Sequence, residues 1–148
     1  MIFSQRMKGL SLMACAALLA GCAAVPVYQA APNTPVARLN VNSMGSKWIC
    51  VGAERQRLVA DPTGYVDIPA GKAVTIGSSY YNYVYGGVST SCNPRTTLVP
   101  KAGQRYFIDF EIEAERCVAL IYREDPSTRT GLAPDLTLGQ SAPSCGGR

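Results

Sequence analysis

The residues that could carry chemistry in this chain are cysteines and carboxylates, because the sequence has no histidine. Histidine is the usual general base near neutral pH and a frequent metal ligand. Its absence excludes Ser-His-Asp and Cys-His nucleophiles and every metal site that needs an imidazole. No glycine-rich phosphate loop, Ser-x-x-Lys pair or calcium-binding loop occurs either. We therefore expect no enzyme activity, no cofactor and no metal.

Four carboxylates that alternate along one predicted strand are the remaining acid–base candidates. They are Asp109, Glu111, Glu113 and Glu115. Paired carboxylates at a suitable separation could hydrolyse a glycosidic bond. Such a site needs a cleft that raises one of the two pKa values, and an alternating exposed face provides none. We expect a solvated sheet face, and a carboxylate-based cell-wall enzyme ranks last among the functions considered.

Tyrosines are concentrated in a single stretch of the chain, Ser79–Tyr85. In a strand, Tyr81, Tyr83 and Tyr85 share one face, where they could bind a protein or a glycan through rings that are apolar with a polar tip. The alternative is that these rings pack within the sandwich or over its rim. The single tryptophan, Trp48, stands beside Cys50 and is expected to pack in the core.

The N-terminus has the pattern of a secretory signal peptide. Arg6 and Lys8 precede an uncharged apolar run, Leu10–Ala20, which ends in small residues. This run is too short to cross a bilayer as a helix, which takes about 20 residues. Because both basic residues would leave with residues 1–21, the formal charge falls from +4 to about +2. So small a charge gives no indication of nucleic-acid binding.

Leu19-Ala20-Gly21-Cys22 resembles the lipobox of bacterial lipoproteins at all four positions. The resemblance covers residues 1–22. It implies that the Cys22 thiol receives a diacylglycerol, that the chain is cut before Cys22, and that fatty acid such as palmitate is added to the new amino group. Two or three acyl chains hold a protein durably on a bilayer. In that family Ala23 implies the outer membrane, with the domain facing the periplasm. The alternatives are an ordinary cleaved signal with an unmodified Cys22, or a retained membrane helix.

Two disulfides are expected among the cysteines that remain once Cys15 leaves with the signal and Cys22 carries lipid. No Cys-x-x-Cys spacing occurs, which gives no support to a zinc ribbon or a thioredoxin-type redox site. Three pairings are possible. If residues 92–99, 105–113 and 117–122 form a meander, two cysteines meet at one end of the sheet, which favours Cys92 with Cys117 and Cys50 with Cys145. The even count gives no indication of a free reactive thiol.

The mature chain divides into three parts by composition. Residues 22–37 contain the lipidated cysteine and a Pro/Ala-rich stretch without charge, which we interpret as a tether. The alternative is an arm packed on the domain. Residues 38–125 read as strands and turns, and residues 126–148 form a Pro/Gly/Ser-rich tail that Cys145 pins.

The strand pattern predicts an all-β fold with a single small antiparallel β-sandwich, or a small barrel. Along Arg105–Glu113, Tyr106, Ile108, Phe110 and Ile112 share one face, which is the period of a half-buried strand. Residues 96–99, the turn at 100–103 and this strand are expected to form a hairpin. Helix signals are almost absent.

The turn and strand pattern around Gly64–Lys72 and Lys101–Phe107 resembles that of small transthyretin-like β-sandwich lipoproteins of uncharacterised function. This resemblance implies the fold and brings no catalytic residue. We expect a membrane-anchored envelope protein with a non-enzymatic binding or structural domain and an envelope protein as its partner. The alternative is an inhibitor or immunity lipoprotein that acts on a hydrolase or toxin through the region 80–87.

Overall fold

The computed structural model describes residues 24–84, 86–113, 116–142 and 144–145. Within these ranges the chain forms β-strands and no helix. The strands are β1 (Val36–Asn40), β2 (Ser46–Val51), β3 (Glu54–Arg57), β4 (Tyr65–Pro69), β5 (Val74–Val84), β6 (Val88–Cys92), β7 (Arg95–Leu98), β8 (Arg105–Glu113), β9 (Arg116–Glu124) and β10 (Leu132–Pro134).

The strands form two sheets that pack face to face. The first sheet has the order β10-β9-β8-β1-β4, and the second has β3-β2-β5-β6 with β7 also paired to β5. The fold is therefore the predicted all-β sandwich. One neighbouring pair departs from the antiparallel pattern, because β1 lies parallel to β8 with Leu39 opposite Tyr106.

Side chains that alternate along the strands fill the space between the sheets. Leu39, Ile49, Ile76 and Ile108 are fully buried, and each such side chain stabilises the fold by roughly 1.5–3 kcal/mol. The alternation predicted for β8 is confirmed up to Phe110. Ile112 lies on the same face but is 50% exposed.

The predicted hairpin between residues 96–99 and β8 is wrong. β7 pairs with β5, so Leu98 enters the core from the second sheet, while β8 belongs to the first. The turn at 100–103 therefore crosses between sheets instead of joining neighbours. Apolar periodicity reports which face of a strand is buried but not which sheet the strand joins. β8 does form a hairpin with β9, from Tyr106 opposite Arg123 to Glu113 opposite Arg116.

Part of the predicted tether lies against the domain. The backbone N–H of Arg57 donates to the carbonyl of Pro26 (2.8 Å), and that of Tyr28 donates to the carbonyl of Arg57 (2.9 Å). A proline has no N–H to donate, but its carbonyl still accepts, so this segment covers the edge of β3. β1 begins at Val36, inside the same predicted stretch.

The C-terminal tail is held to the sandwich by several contacts in addition to Cys145. β10 pairs with β9, and the N–H of Gly139 donates to the carbonyl of Thr97 (2.9 Å). Leu138 packs against the core. The tail thus passes from the first sheet to the second before it reaches Cys145.

Candidate functional site

Tyr81 and Tyr83 lie on the outer face of the second sheet, and we call this pair the tyrosine face. Their side chains are 67% and 65% exposed. Tyr80 points the other way, towards the first sheet, where its ring centroid lies 5.6 Å from that of Phe110. Tyr85, the third tyrosine of the predicted binding face, lies outside the described residues. Tyr80 therefore packs within the sandwich, whereas Tyr81 and Tyr83 are exposed on the opposite face.

A groove lies beside Tyr81, at the point where β5 runs on past the beginning of β2. Ser46 is the first residue of β2 and is paired with Ser79, and after Ser79 the described part of β5 pairs with β6 alone. The missing neighbour leaves an open depression of about 690 Å³. This Tyr81 groove is lined by Gly45, Ser46, Ser79, Tyr80, Tyr81, Ser91 and Asn93.

The lining of the Tyr81 groove combines two tyrosines with small polar residues and carries no Asp, Glu, Lys or Arg. The side chains of Ser46, Ser79, Ser91 and Asn93 make no hydrogen bond to any other residue that the structure describes. Their hydroxyl and amide groups can both donate and accept. Sequence reasoning missed these four residues, because three separate segments contribute them and only the strand pairing brings them together.

Lys47 fixes the loop that forms one wall of this groove. Its side chain points between the sheets and is 3% exposed. The ammonium group donates to the carbonyls of Ser43 (2.9 Å), Met44 (2.5 Å) and Gly45 (3.0 Å). Burial lowers the pKa of the Lys47 amine to about 8, against the opposing effect of the Asp109 carboxylate. The loop cannot leave β5 without exposing these carbonyls or leaving the buried ammonium without acceptors.

The cysteines meet in the arrangement that the sequence favours. Cys92 of β6 is bonded to Cys117 of β9, with 6.3 Å between their Cα atoms. Because these strands belong to different sheets, this disulfide ties the β5–β6 hairpin to the β8–β9 hairpin. The tyrosine face is thus carried on a hairpin that a covalent bond holds to the rest of the sandwich.

The second disulfide lies under the only tryptophan. Cys50 is bonded to Cys145, with 5.3 Å between Cα atoms, and both pack with Trp48 in a small cluster on the outer face of the second sheet. The Arg55 guanidinium covers the indole at 4.2 Å from the ring centroid. Trp48 is 5% exposed, so its ring packs as expected and is not available to a ligand.

The alternating carboxylates lie on the outer face of the first sheet. Asp109 and Glu111 are half-buried and Glu113 is exposed, while Glu115 lies outside the described residues. Burial, followed by the Glu111 and Asp109 carboxylates, raises the pKa of the neighbouring Tyr122. The described carboxylates follow one strand in a row and do not face each other across a cleft.

A charged cluster that sequence reasoning missed surrounds Tyr65 on the same outer face. The Arg38 and Arg105 guanidinium groups lie 4.8 Å and 4.5 Å from the centroid of its ring. Arg38 forms a salt bridge with Asp61, and Arg105 forms one with Glu124 (3.2 Å). Each cation is already neutralised by a carboxylate of this chain, so the cluster offers no free charge to a ligand. It joins β1, β4, β8 and β9 across the sheet surface.

The predicted lipidation site, Cys22, lies outside the described residues. Among the residues that the structure does describe, no helix is long and apolar enough to cross a membrane. The same part of the chain contains no group of three or more metal-ligating Cys, Asp or Glu side chains.

Comparison with known proteins gives no family assignment for this sandwich and its groove. No protein-family model, no curated protein and no solved structure matches the chain.

Proposed function

We propose that this chain is a lipid-anchored protein of the bacterial cell envelope whose β-sandwich binds another envelope component without catalysing a reaction. The lipobox-like residues at Cys22 support the anchor, and Ala23 supports the outer membrane as its destination. Two disulfides in the folded domain are consistent with export to an oxidising compartment. The anchor would hold the sandwich on the periplasmic side of that membrane.

The tyrosine face is the observation that carries the binding role. Tyr81 and Tyr83 are the two most exposed aromatic side chains of the described residues, and they lie side by side at the end of a disulfide-tied hairpin. Tyrosine is enriched where proteins bind partners, because its ring adds apolar area at little cost in conformational entropy. Because the Cys92–Cys117 disulfide ties this hairpin to the first sheet, the rings are positioned before a partner arrives.

Processing of the precursor tests the anchor. Globomycin blocks the signal peptidase of lipoproteins, so we expect an uncleaved, diacylated precursor to accumulate in treated cells. A Cys22→Ser variant should not be labelled by radioactive palmitate and should not accumulate as that precursor. Normal processing in the presence of globomycin would remove the lipoprotein assignment.

Crosslinking in intact cells tests the binding role. We expect the wild-type chain to capture an envelope component and the variant Tyr81→Ser with Tyr83→Ser to lose it. The matched control is Val59→Ser with Leu136→Ser, which removes two exposed apolar side chains elsewhere on the surface (48% and 96% exposed). Capture that both folded variants reduce equally would show that the tyrosine face has no special part in it.

A second candidate, an inhibitor or immunity lipoprotein, is favoured by the shape of the same hairpin. Beyond Ser79 the described residues of β5 pair only with β6, so the hairpin extends as a two-stranded ribbon past β2. Such a ribbon could enter the active-site cleft of a hydrolase. Inhibition of a cell-wall hydrolase by the purified chain, lost with Tyr81→Ser and Tyr83→Ser, would favour this function over an assembly role.

A further inference from the structure

We infer that the Tyr81 groove binds an uncharged glycan. The inference rests on the proposed function in one respect, since it takes the same face of β5 as the binding surface. It goes further by naming the chemical class of the ligand, a chain of neutral sugar rings.

The Tyr81 ring provides the apolar part of such a site. One face of a pyranose ring presents several C–H groups, which pack against the flat face of an aromatic ring. Tyr81 is 67% exposed at the border of the groove, and its own hydroxyl can still reach water or a sugar hydroxyl. Tyr80 also lines the groove, but its ring points towards the first sheet and lies against Phe110.

The polar side chains around the groove can form hydrogen bonds with the hydroxyl groups of a sugar. Ser46, Ser79, Ser91 and Asn93 bring three hydroxyls and one amide to the lining, and none is hydrogen-bonded to a described residue. Sugar hydroxyls both donate and accept, as these side chains do. A ligand that displaces water here must replace the water's hydrogen bonds, and an apolar ligand could not do so.

The absence of charged residues from the lining favours a neutral glycan over charged ligands. No Lys or Arg lines the groove to pair with a phosphate or carboxylate, and no Asp or Glu lines it to hold a cation. The nearby Lys47 ammonium is 3% exposed and is occupied by three backbone carbonyls. Phosphorylated or acidic polymers would therefore find no counter-charge in the lining.

The size and openness of the groove favour a glycan over a protein surface. Its volume of about 690 Å³ falls within the range of small-ligand sites, roughly 300–1,000 Å³. A stable protein interface needs a larger area with a dry apolar core, and apart from the tyrosines this lining is small and polar. Most of the lining residues are exposed, so a polymer longer than the groove could pass through it.

Calorimetry with defined trisaccharides tests the inference. The full chain is purified in dodecylphosphocholine, a detergent without a sugar headgroup, and titrated with chitotriose, cellotriose and maltotriose. We expect at least one of the three to bind. Tyr81→Ala should weaken that binding about tenfold, which corresponds to about 1.4 kcal/mol, because it removes the ring on which a sugar would stack. Asn93→Ala should weaken it by a smaller factor.

Leu136→Ala is the matched control, because Leu136 is an exposed apolar side chain (96%) that belongs neither to the tyrosine face nor to the lining of the groove. It should change the affinity less than twofold, and circular dichroism should show that both variants are folded. Absence of heat with all three sugars, or equal weakening by both variants, would overturn the inference. Binding of a sulfated oligosaccharide alone would also overturn it.

The outcome separates this inference from the proposed function. Crosslinking of Tyr81 to a protein, together with no trisaccharide binding, would leave the envelope-binding role standing and remove the glycan. Conversely, trisaccharide binding together with normal precursor processing under globomycin would support the glycan site and remove the lipoprotein assignment.

Discussion

The indole ring of Trp48 lies directly over Gly77 on the neighbouring strand. The two residues are paired between β2 and β5, and a Cβ atom at position 77 would overlap the six-membered ring of the indole. Glycine costs stability in a strand interior, so its presence here has to be offset by the ring that covers it. We expect Gly77→Ala to lower the free energy of unfolding by about 1–3 kcal/mol through overpacking.

Urea denaturation followed by tryptophan fluorescence measures this loss, since Trp48 is the only tryptophan. Ser79→Ala, two residues along the same face of β5, is the control and should change stability by less than about 0.5 kcal/mol. An equal effect of both substitutions would mean that the Trp48–Gly77 contact is not a tight one.

The two disulfides should contribute unequally to stability. Cys50 and Cys145 are both buried under Trp48 and are 95 residues apart, whereas Cys92 and Cys117 are half-buried and 25 residues apart. The chain-entropy model gives roughly 3–5 kcal/mol for loops of these lengths, with more for the longer loop. Removal of the first pair also opens the cluster around the indole.

Replacement of each pair by two serines, followed by urea denaturation, checks this order. We expect the variant without Cys50–Cys145 to lose more stability than the variant without Cys92–Cys117. The second variant should instead be more susceptible to proteolysis at the β5–β6 hairpin. The opposite order of stabilities would contradict the view that the Trp48 cluster depends on its disulfide.

Lys47 should make the protein more stable as the pH rises from 8 to 10. Its amine has a pKa of about 8 in the fold because of burial, and a value near 10.5 when unfolded. Between these values the unfolded chain binds more protons, so the unfolding free energy increases with pH. The contribution is absent below pH 8, where both states are protonated, and reaches roughly 3 kcal/mol at most.

Unfolding midpoints at pH 7, 8, 9 and 10 for wild type and Lys47→Met test this slope. The variant should lack the rise above pH 8, while Lys72→Met, at an exposed lysine, should keep it. Burial raises the pKa of Tyr28 and Tyr106, which destabilises the fold at still higher pH, so the series stops at 10. A Lys47→Met protein with the wild-type slope would show that another group causes it.

The sequence predicts individual strands well because burial of one face leaves a period of two in the chain. Tyr106, Ile108 and Phe110 are inward as their spacing predicts. The neighbour of each strand in the sheet is harder to predict, since pairing depends on contacts between distant segments. Leu98 has the same apolar character whether β7 joins β8 or β5, and only the packed sandwich decides for β5. The arm at 26–28 is only the alternative to a tether at the level of the sequence, because Pro26 and the prolines at 32 and 35 are typical of an extended linker.

The candidate site was predictable only where it lies on one strand. Tyr81 and Tyr83 follow from alternation along β5, which also assigns Tyr80 to the opposite face. Ser46, Ser91 and Asn93 carry no signal of their own, because serine and asparagine are ordinary in loops and at sheet edges. The strand pairings Ser46–Ser79 and Tyr81–Ser91 bring them close to Tyr81. No local sequence pattern predicts these pairings.

Tyr106 should hold the tail to the sandwich through Asp135. The Tyr106 ring is fully buried, its hydroxyl donates to Asp135 Oδ2 (3.2 Å), and it accepts from the Lys101 N–H (3.1 Å). Burial raises the pKa of the Asp135 carboxyl, but hydrogen bonds from Thr137 and Tyr106 outweigh this, and the pKa lies below its ordinary value of 3.8. Asp135 therefore stabilises the fold above that pH, and this contribution disappears as the pH falls through the lowered pKa.

Tyr106→Phe removes one donor from this buried carboxylate without opening a cavity. We expect a loss of about 1–3 kcal/mol in unfolding free energy at pH 7. The loss should be smaller at pH 3, because the Tyr106 hydroxyl favours the ionised Asp135 carboxylate, whose contribution to stability disappears as the pH falls through its lowered pKa. Urea denaturation at both values measures the difference, with Tyr83→Phe, at an exposed ring, as the control that should lose nothing at either. A loss of the same size at pH 7 and pH 3 would mean that the Tyr106 hydroxyl acts through Lys101 alone, and that the tail is held by Leu138 and Cys145 instead.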